Sequence, residues 1–467
     1  MTVSDATRLA RYAPDRRDTL PVAVLALLAA FAAGAVAQGG YYPPGRVAVT
    51  VLVAVALVAA VPGLPWSAAD LWPVPAACAA LGGWALVRAG SAGGYPAAAG
   101  EAATLGCLAA VLLVLRRTGP DTRERLAGLL IGTGAVLAVA VWLGVAWRLP
   151  RFAVVVDAQL WRGAGTLTYP NAAAALLVPL ALLAIALPGS TPRAPVRTAT
   201  RYLLLVGAGA TLSRAGLMAL AVGLVVLAVI AGPAETVRRA AAPAVGAAIA
   251  IAALAPSFPI REQPRPALAV AGLLAGAAVA LGPGYLPRRV RGAATGAALA
   301  LFGIAVWTRL GTDAAHNLLR SRWSVESSGR SGALSSAIQL VAARPLTGTG
   351  VGQARFVWHT AGGNAQIALY VHDEYVQTLV DLGAIGLVLL LALLAAMAVT
   401  LYRGRAFPHR PGVRAGAIAA LAALAAHSGF DFLWHLAVLP LAAGLFLGLA
   451  APATAEKPIT RNEGTPE

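Results

Sequence analysis

Charge is scarce in this chain. Asp, Glu, Lys and Arg make up 12% of its 467 residues, against about 25% in soluble proteins. Hydrophobic residues reach 59% and mean hydropathy is +0.74. That balance excludes a water-solvated globule, because most of the chain must be solvated by lipid. Cysteine is nearly absent as well: Cys78 and Cys107 both fall in apolar stretches, give neither a disulfide framework nor a metal-ligand spacing, and read as packing residues. Also missing are a phosphate-binding Gly-Lys loop, a G-x-S-x-G elbow, zinc-type His/Cys spacing and a dinucleotide fingerprint. No nucleotide, metal or redox cofactor is therefore expected.

What the chain has in abundance is long apolar runs. Each covers about 16 to 22 residues, enough for a hydrocarbon core of roughly 30 Å. We read about fourteen spans, beginning near Pro21, Val47, Trp72, Glu101, Leu126, Asn171, Tyr202, Ala215, Ala240, Pro266, Arg291, His372, Arg414 and Leu433. Backbone in lipid must satisfy its own hydrogen bonds, so Ala- and Leu-rich spans of this length are helices, and their many small residues allow close helix contacts. The expected fold is all-α: a polytopic membrane protein with one helical domain over 20–451, short cytoplasmic tails at 1–19 and 452–467, and one long extracytoplasmic loop at 308–371.

The net charge of +17 is spread over short loops and forms no groove or stripe for nucleic acid. It serves orientation: with the amino terminus inside, most Lys and Arg fall on the cytoplasmic side, which is the positive-inside bias. The first span has signal-peptide features, with Arg16 and Arg17 before an apolar run that ends in Ala35-Val36-Ala37-Gln38. We read it as an uncleaved first helix.

The most informative stretch runs from Pro345 to Gly386, where a glycine-punctuated polar segment sits between apolar spans. Gly348, Gly350 and Gly352 let the backbone turn sharply and approach a ligand closely. His372, Asp373 and Glu374 stand together at the start of the next span, and ionisable groups placed there suggest function. His372 can accept a proton near neutrality; either neighbouring carboxylate can equally be its partner or the base itself. His316, His359, His409, His427 and His435 are weaker candidates by position. Two adjacent carboxylates do not make a metal site, and none is expected. Arg214 interrupts an apolar stretch at the outer surface, either snorkelling or binding an anion. Arg330 alone is a solvated loop charge, yet two arginines converging on one site suit a pyrophosphate. Between Ser331 and Pro345, Leu334, Ile338 and Val341 space out the apolar face of a short amphipathic helix.

Five segments in this order resemble the O-antigen ligase and O-antigen polymerase family of bacterial envelope glycosyltransferases. They are WRGAGTLTYPNAAAALLVPL from Trp161, TLSRAGLMAL from Thr211, SGRSGALSSAIQLVAARPLTGTGVG from Ser328, HDEYVQTLVDLGAIG from His372 and HSGFDFLWHLAVLPLAAGLFLGL from His427. The resemblance covers about half the chain. The resemblance implies transfer or polymerisation of a glycan carried on undecaprenyl pyrophosphate, at the outer face of the membrane. It also implies that Arg214 and Arg330 hold the pyrophosphate while His372 activates the acceptor hydroxyl. The family often has Asn after that histidine, where this chain has Asp373. Implied partners are the lipid-linked donor, membrane lipids and a glycan, lipid, wall-polymer or protein acceptor. The competing class is a transporter or flippase of lipid-linked sugars, although no internal repeat is visible.

Overall fold

The computed structural model describes residues 21–61, 72–156, 159–188, 194–285, 328–359, 363–406 and 410–452. Both tails, the span beginning at Arg291, part of the long loop, His316 and His409 lie outside the described residues.

Among the described residues the chain forms fourteen α-helices: α1 Val22–Val36, α2 Pro43–Ala60, α3 Val74–Ala92, α4 Tyr95–Arg116, α5 Pro120–Ala146, α6 Pro170–Ala186, α7 Ala194–Ala210, α8 Arg214–Ala231, α9 Pro233–Leu254, α10 Pro266–Tyr285, α11 Ser328–Ala343, α12 Glu374–Arg403, α13 Pro411–Ser428 and α14 Val438–Ala450. The other apolar stretches read from sequence coincide with helices, but several helices begin earlier than the apolar run. The cause is local: α2, α3, α4, α5, α6, α9 and α13 carry proline in their first two positions, where its fixed φ starts a helix and its missing N–H costs nothing. Six helices, α2, α4, α5, α8, α9 and α12, are long and apolar enough to cross a membrane by length and composition. The sequence-based number of about fourteen crossings exceeds those six.

Two helices make the centre. All 17 residues of α6 and all 13 of α14 are buried, as expected of helices that are apolar all round. Around them the burial falls off, and α2 exposes most of its surface. At one end of the bundle, arginines close helix carboxy termini by donating to orphaned carbonyls: Arg123 to Leu115 and Ala451, Arg201 to Ala184 and Leu187, Arg414 to Leu401. The starting turns of α6 and α14 lie at the opposite end.

That opposite end carries two hairpins that the sequence reading left as loop. β1 (Ala153–Val156) pairs antiparallel with β2 (Leu160–Gly163), and β3 (Phe356–His359) with β4 (Ala365–Ala368). Helix α11 packs on β3 through Ala333 and Ala337, in a small cluster with Phe356, Val371 and Val380. The packed face is the alanine face: Leu334 and Ile338, expected on the apolar side, are exposed. Small residues win here because Trp358 lies so close that a β-carbon on Gly332 would meet its ring at 2.2 Å.

Helix α12 is broken at Gly383, whose φ of 69° and ψ of −170° are non-helical. The glycine-rich run fills the gap. Thr349 and Gly350 donate N–H groups to the carbonyls of Val380 and Asp381 at 2.8 and 2.9 Å, and Ala384 donates to Pro345 at 2.8 Å. Arg88 on α3 holds the carbonyls of Thr347 and Gly348. Gly348, Gly350 and Gly352 all have positive φ, and a β-carbon at Gly348 would stand 2.5 Å from the Asp381 backbone. In the fold, then, these glycines approach another stretch of backbone. Gly383→Ala is expected to destabilise the protein by about 2 kcal/mol or more, since this backbone region is essentially glycine-only and the new methyl would meet Leu346 backbone at 2.2 Å. A lowered unfolding temperature in detergent is the check; an unchanged one would mean the splint is not rigid.

Candidate active site

His372, Asp373 and Glu374 are neighbours in sequence with three different partners. Asp373 is the N-cap of α12: its Oδ1 accepts the N–H groups of Tyr375 and Val376 at 2.9 and 3.0 Å, satisfying two donors a helix start leaves orphaned. Burial raises its pKa above the ordinary aspartate value, with those two N–H groups opposing. Glu374 turns into the core, where Oε2 accepts the N–H of Trp434 at 3.1 Å and Oε1 stands 4.0 Å from Nε2 of His435. His372 keeps an open side, with a third of its side chain exposed, and Asp373 is also partly exposed.

The partner of His372 is Asp431, in the turn that leads into α14. Nδ1 of the histidine lies 2.9 Å from Oδ1 of an aspartate that is fully buried. The other oxygen, Oδ2, accepts the hydroxyl of Tyr169 at 2.5 Å and the amide of Asn171 at 2.6 Å, both from the starting turn of α6. Burial alone would raise the pKa of Asp431, but the hydrogen bonds and charge of His372, with the hydrogen bonds of Tyr169 and Asn171, outweigh it and hold it below its ordinary value. An ionised carboxylate only accepts, so Nδ1 carries the proton and Nε2 presents its lone pair. Phe432 stacks between Tyr169 and Tyr370, with ring centroids 5.4 and 4.8 Å apart, and walls the histidine at 5.3 Å. His435, its ring tilted against Tyr370 with centroids 4.3 Å apart, is pushed down to about 4 by burial and then by Arg46. It is a neutral ring near pH 7, which leaves His372 as the histidine fitted for proton transfer here.

Asn171 is tied in turn to Arg162 on β2, whose guanidinium donates to Asn171 Oδ1 at 2.9 Å and to the carbonyl of Thr211 at 2.8 Å. Thr211 precedes Leu212, which has a left-handed φ of 50°, a strain of about 1 kcal/mol at the corner before α8. Ser213 then caps α8 by accepting the N–H of Gly216 at 3.1 Å, and exposed Arg214 is the first residue of that helix. A cation there opposes the helix dipole, so the helix itself gains nothing from it. Hydrogen bonds thus run from His372 through Asp431, Asn171 and Arg162 to the segment that carries Arg214. Arg330 falls in the first turn of α11; its side chain is outside the described residues. Among the described residues no cluster of three or more His, Cys, Asp and Glu is arranged to hold a metal ion.

Reading the sequence did not single out Asp431, Tyr169, Asn171 or Arg162. The signal was available: each sits inside one of the motif segments, and Asp431 is a lone acid between the two closing spans.

Residues 265–391 match the family model described as O-antigen ligase. Over that segment, somewhat more than a quarter of the chain, the protein is similar to the O-antigen ligase family. No curated protein matches the chain. The matched segment contains Arg330, the glycine-rich run and His372, whereas Arg162, Tyr169, Asn171, Arg214 and Asp431 come from outside it. With six helices of membrane-crossing length and composition, the family marks a membrane protein of polysaccharide biosynthesis and supports glycan transfer of the ligase or polymerase type.

Proposed function

We propose that the protein transfers a glycan from an undecaprenyl-pyrophosphate carrier to an acceptor hydroxyl at the outer face of a bacterial cytoplasmic membrane, which it crosses about fourteen times, both termini inside. The observation that carries this reading is the His372–Asp431 pair at 2.9 Å, an oriented and partly open imidazole within the O-antigen ligase segment. The acceptor hydroxyl attacks the anomeric carbon as its proton passes to Nε2 of His372. The bond from that carbon to the pyrophosphate oxygen breaks, and the carrier pyrophosphate departs with the bonding pair. Arg214 and Arg330 take up the charge on that leaving group; fixed cations in a water-poor site stabilise developing charge strongly. Pyrophosphate is already an activated leaving group, so the step is written without nucleotide or metal.

The test is reconstituted protein with a lipid-pyrophosphate glycan, an acceptor and a chelator. Turnover with release of the carrier pyrophosphate is expected; movement of the lipid-linked sugar across the vesicle without transfer would overturn the reading in favour of a flippase. In the same assay Arg214→Lys keeps the charge but loses the bidentate fork, and we expect a loss of about tenfold or more, which is at least 1.4 kcal/mol of transition-state binding. Arg330→Lys is expected to act in the same direction. Wild-type rates in both variants would remove the arginine clamp from the mechanism.

A further inference from the structure

Arg162 reaches the histidine pair through Asn171. It is buried on β2, and its guanidinium spans two acceptors, the Thr211 carbonyl through Nε and Asn171 Oδ1 through a terminal nitrogen. The chemistry of the amide gives this geometry its consequence. Asn171 has one end that donates and one that accepts, and it stands between a carboxylate and a guanidinium. Donors meet acceptors in one orientation alone, with Nδ2 on Asp431 and Oδ1 on Arg162. A flipped amide would set its oxygen against the Asp431 carboxylate and its N–H groups against the Arg162 donors.

We propose that Arg162 is a positioning residue for the proton-accepting histidine: by holding Oδ1 of Asn171 it locks the amide with its donor end on Asp431, and so fixes the carboxylate that orients His372. A lysine ammonium is a compact point charge without a planar fork and is poorly suited to bridging both acceptors, which accounts for arginine at this buried position. The same guanidinium pins the corner before Ser213 and Arg214. One side chain on β2 thereby ties together the two halves of the site, which lie more than 150 residues apart in sequence.

The inference rests on the reading of His372 as the base only for its effect on rate, so it is best tested without turnover. Diethyl pyrocarbonate acylates the unprotonated imidazole, and His372 has an open side. The extent of its modification, mapped by peptide mass spectrometry across pH, gives the midpoint of its titration in the full-length membrane protein. In Arg162→Met the amide keeps its donor end on Asp431 but loses the anchor on its oxygen, a buried cation is removed, and the less stabilised Asp431 carboxylate binds the Nδ1 proton more strongly. The midpoint is expected to rise by about one pH unit, which is a tenfold change in proton affinity. Asn171→Leu is expected to raise it as well, and the double variant to raise it by less than the sum of the two, because both changes remove the Arg162–Asn171 contact. Arg162→Lys should shift it less. The other ionisable groups around the pair, Tyr169, Tyr370, Asp373, Glu374 and His435, together with Arg46 and Glu101 behind them, are unchanged in all these variants.

The proposal is overturned if Arg162→Met leaves the midpoint in place while Asn171→Leu moves it, or if the two shifts add in the double variant. It is overturned equally if neither Arg162 variant accumulates in membranes while Asn171→Leu does, since the role is then structural. In the transfer assay Arg162→Met should lower kcat with its acid limb displaced upward. Should the wild type fail to transfer glycan while the midpoint shifts hold, the proposed function fails and the role of Arg162 stands.

Discussion

His372→Ala is expected to abolish transfer of glycan from the lipid carrier while leaving binding of the carrier largely intact. A positioned general base contributes about 10² to 10⁴-fold, and in the proposed mechanism the imidazole acts on the acceptor hydroxyl, away from the donor pyrophosphate. The useful control is Asp373→Asn. The Asp373 side chain is occupied as the cap of α12, and asparagine caps helices about as well as aspartate, so this variant should fold normally and keep most of its activity. Rates are to be measured with purified protein at saturating donor, with donor binding measured separately. A fully active His372→Ala beside an inactive Asp373→Asn would make the base a carboxylate and break the mechanism. Loss of donor binding in His372→Ala, with Asp373→Asn unaffected, would instead put the histidine on the pyrophosphate.

The contrast between these two residues shows how far the sequence could be read. Scarce charge and long apolar runs were enough for a helical membrane protein, and the prolines in the first turns account for where many helices begin. The polar segment after Pro345 stood out because the lipid-like runs around it made any ionisable group conspicuous. What could not be read was which neighbour does what. His372, Asp373 and Glu374 leave the chain in different directions at a helix start, and only the packed structure assigns one to Asp431, one to the helix cap and one to the Trp434 N–H. The glycine-rich run suggested close approach to a ligand, yet Gly348 and Gly350 close on the break in α12, a feature with a single residue, Gly383, as its mark in sequence. Asp431 itself lies 59 residues from His372, and no local periodicity connects them.

The site is built where the two central helices begin. α6 and α14 are buried along their whole lengths, so their polar groups are confined to their starting turns, and those turns meet at one end of the bundle. Tyr169 and Asn171 from one turn and Asp431 from the other form a hydrogen-bonded set inside a low-dielectric surround. Such a network is rigid when every member is satisfied, and it gives His372, reached from α12, a fixed seat at its edge.

Asp431→Asn is accordingly expected to be nearly as damaging as loss of the histidine, with kcat reduced about 10³ to 10⁴-fold, the scale seen when the orienting aspartate of a Ser-His-Asp triad is neutralised. The new amide is close in shape but must point a donor somewhere, and both sides of Asp431 already face donors: Nδ1 of His372 on one oxygen, Tyr169 and Asn171 on the other. If the amide N–H turns toward His372, Nδ1 must accept, the proton moves to Nε2, and the base is lost. If it turns the other way, two buried donors lose their acceptor at about 1 to 3 kcal/mol each, so stability falls as well. The pH dependence separates this variant from Arg162→Met. Asp431 titrates below its unfolded value near 3.9, so its contribution to stability is complete above that value and is lost as pH falls through the lower folded one. It therefore stays ionised through the working range, and in the proposed mechanism protonation of the base, not of Asp431, sets the acid limb of activity. Removing the carboxylate removes the charge that favours imidazolium, so the residual acid limb in Asp431→Asn should move to lower pH, opposite to the rise expected for Arg162→Met. A variant with wild-type kcat and an unmoved limb would show that Asp431 neither orients nor charges the base, and the His372–Asp431 pair would then be a packing contact alone.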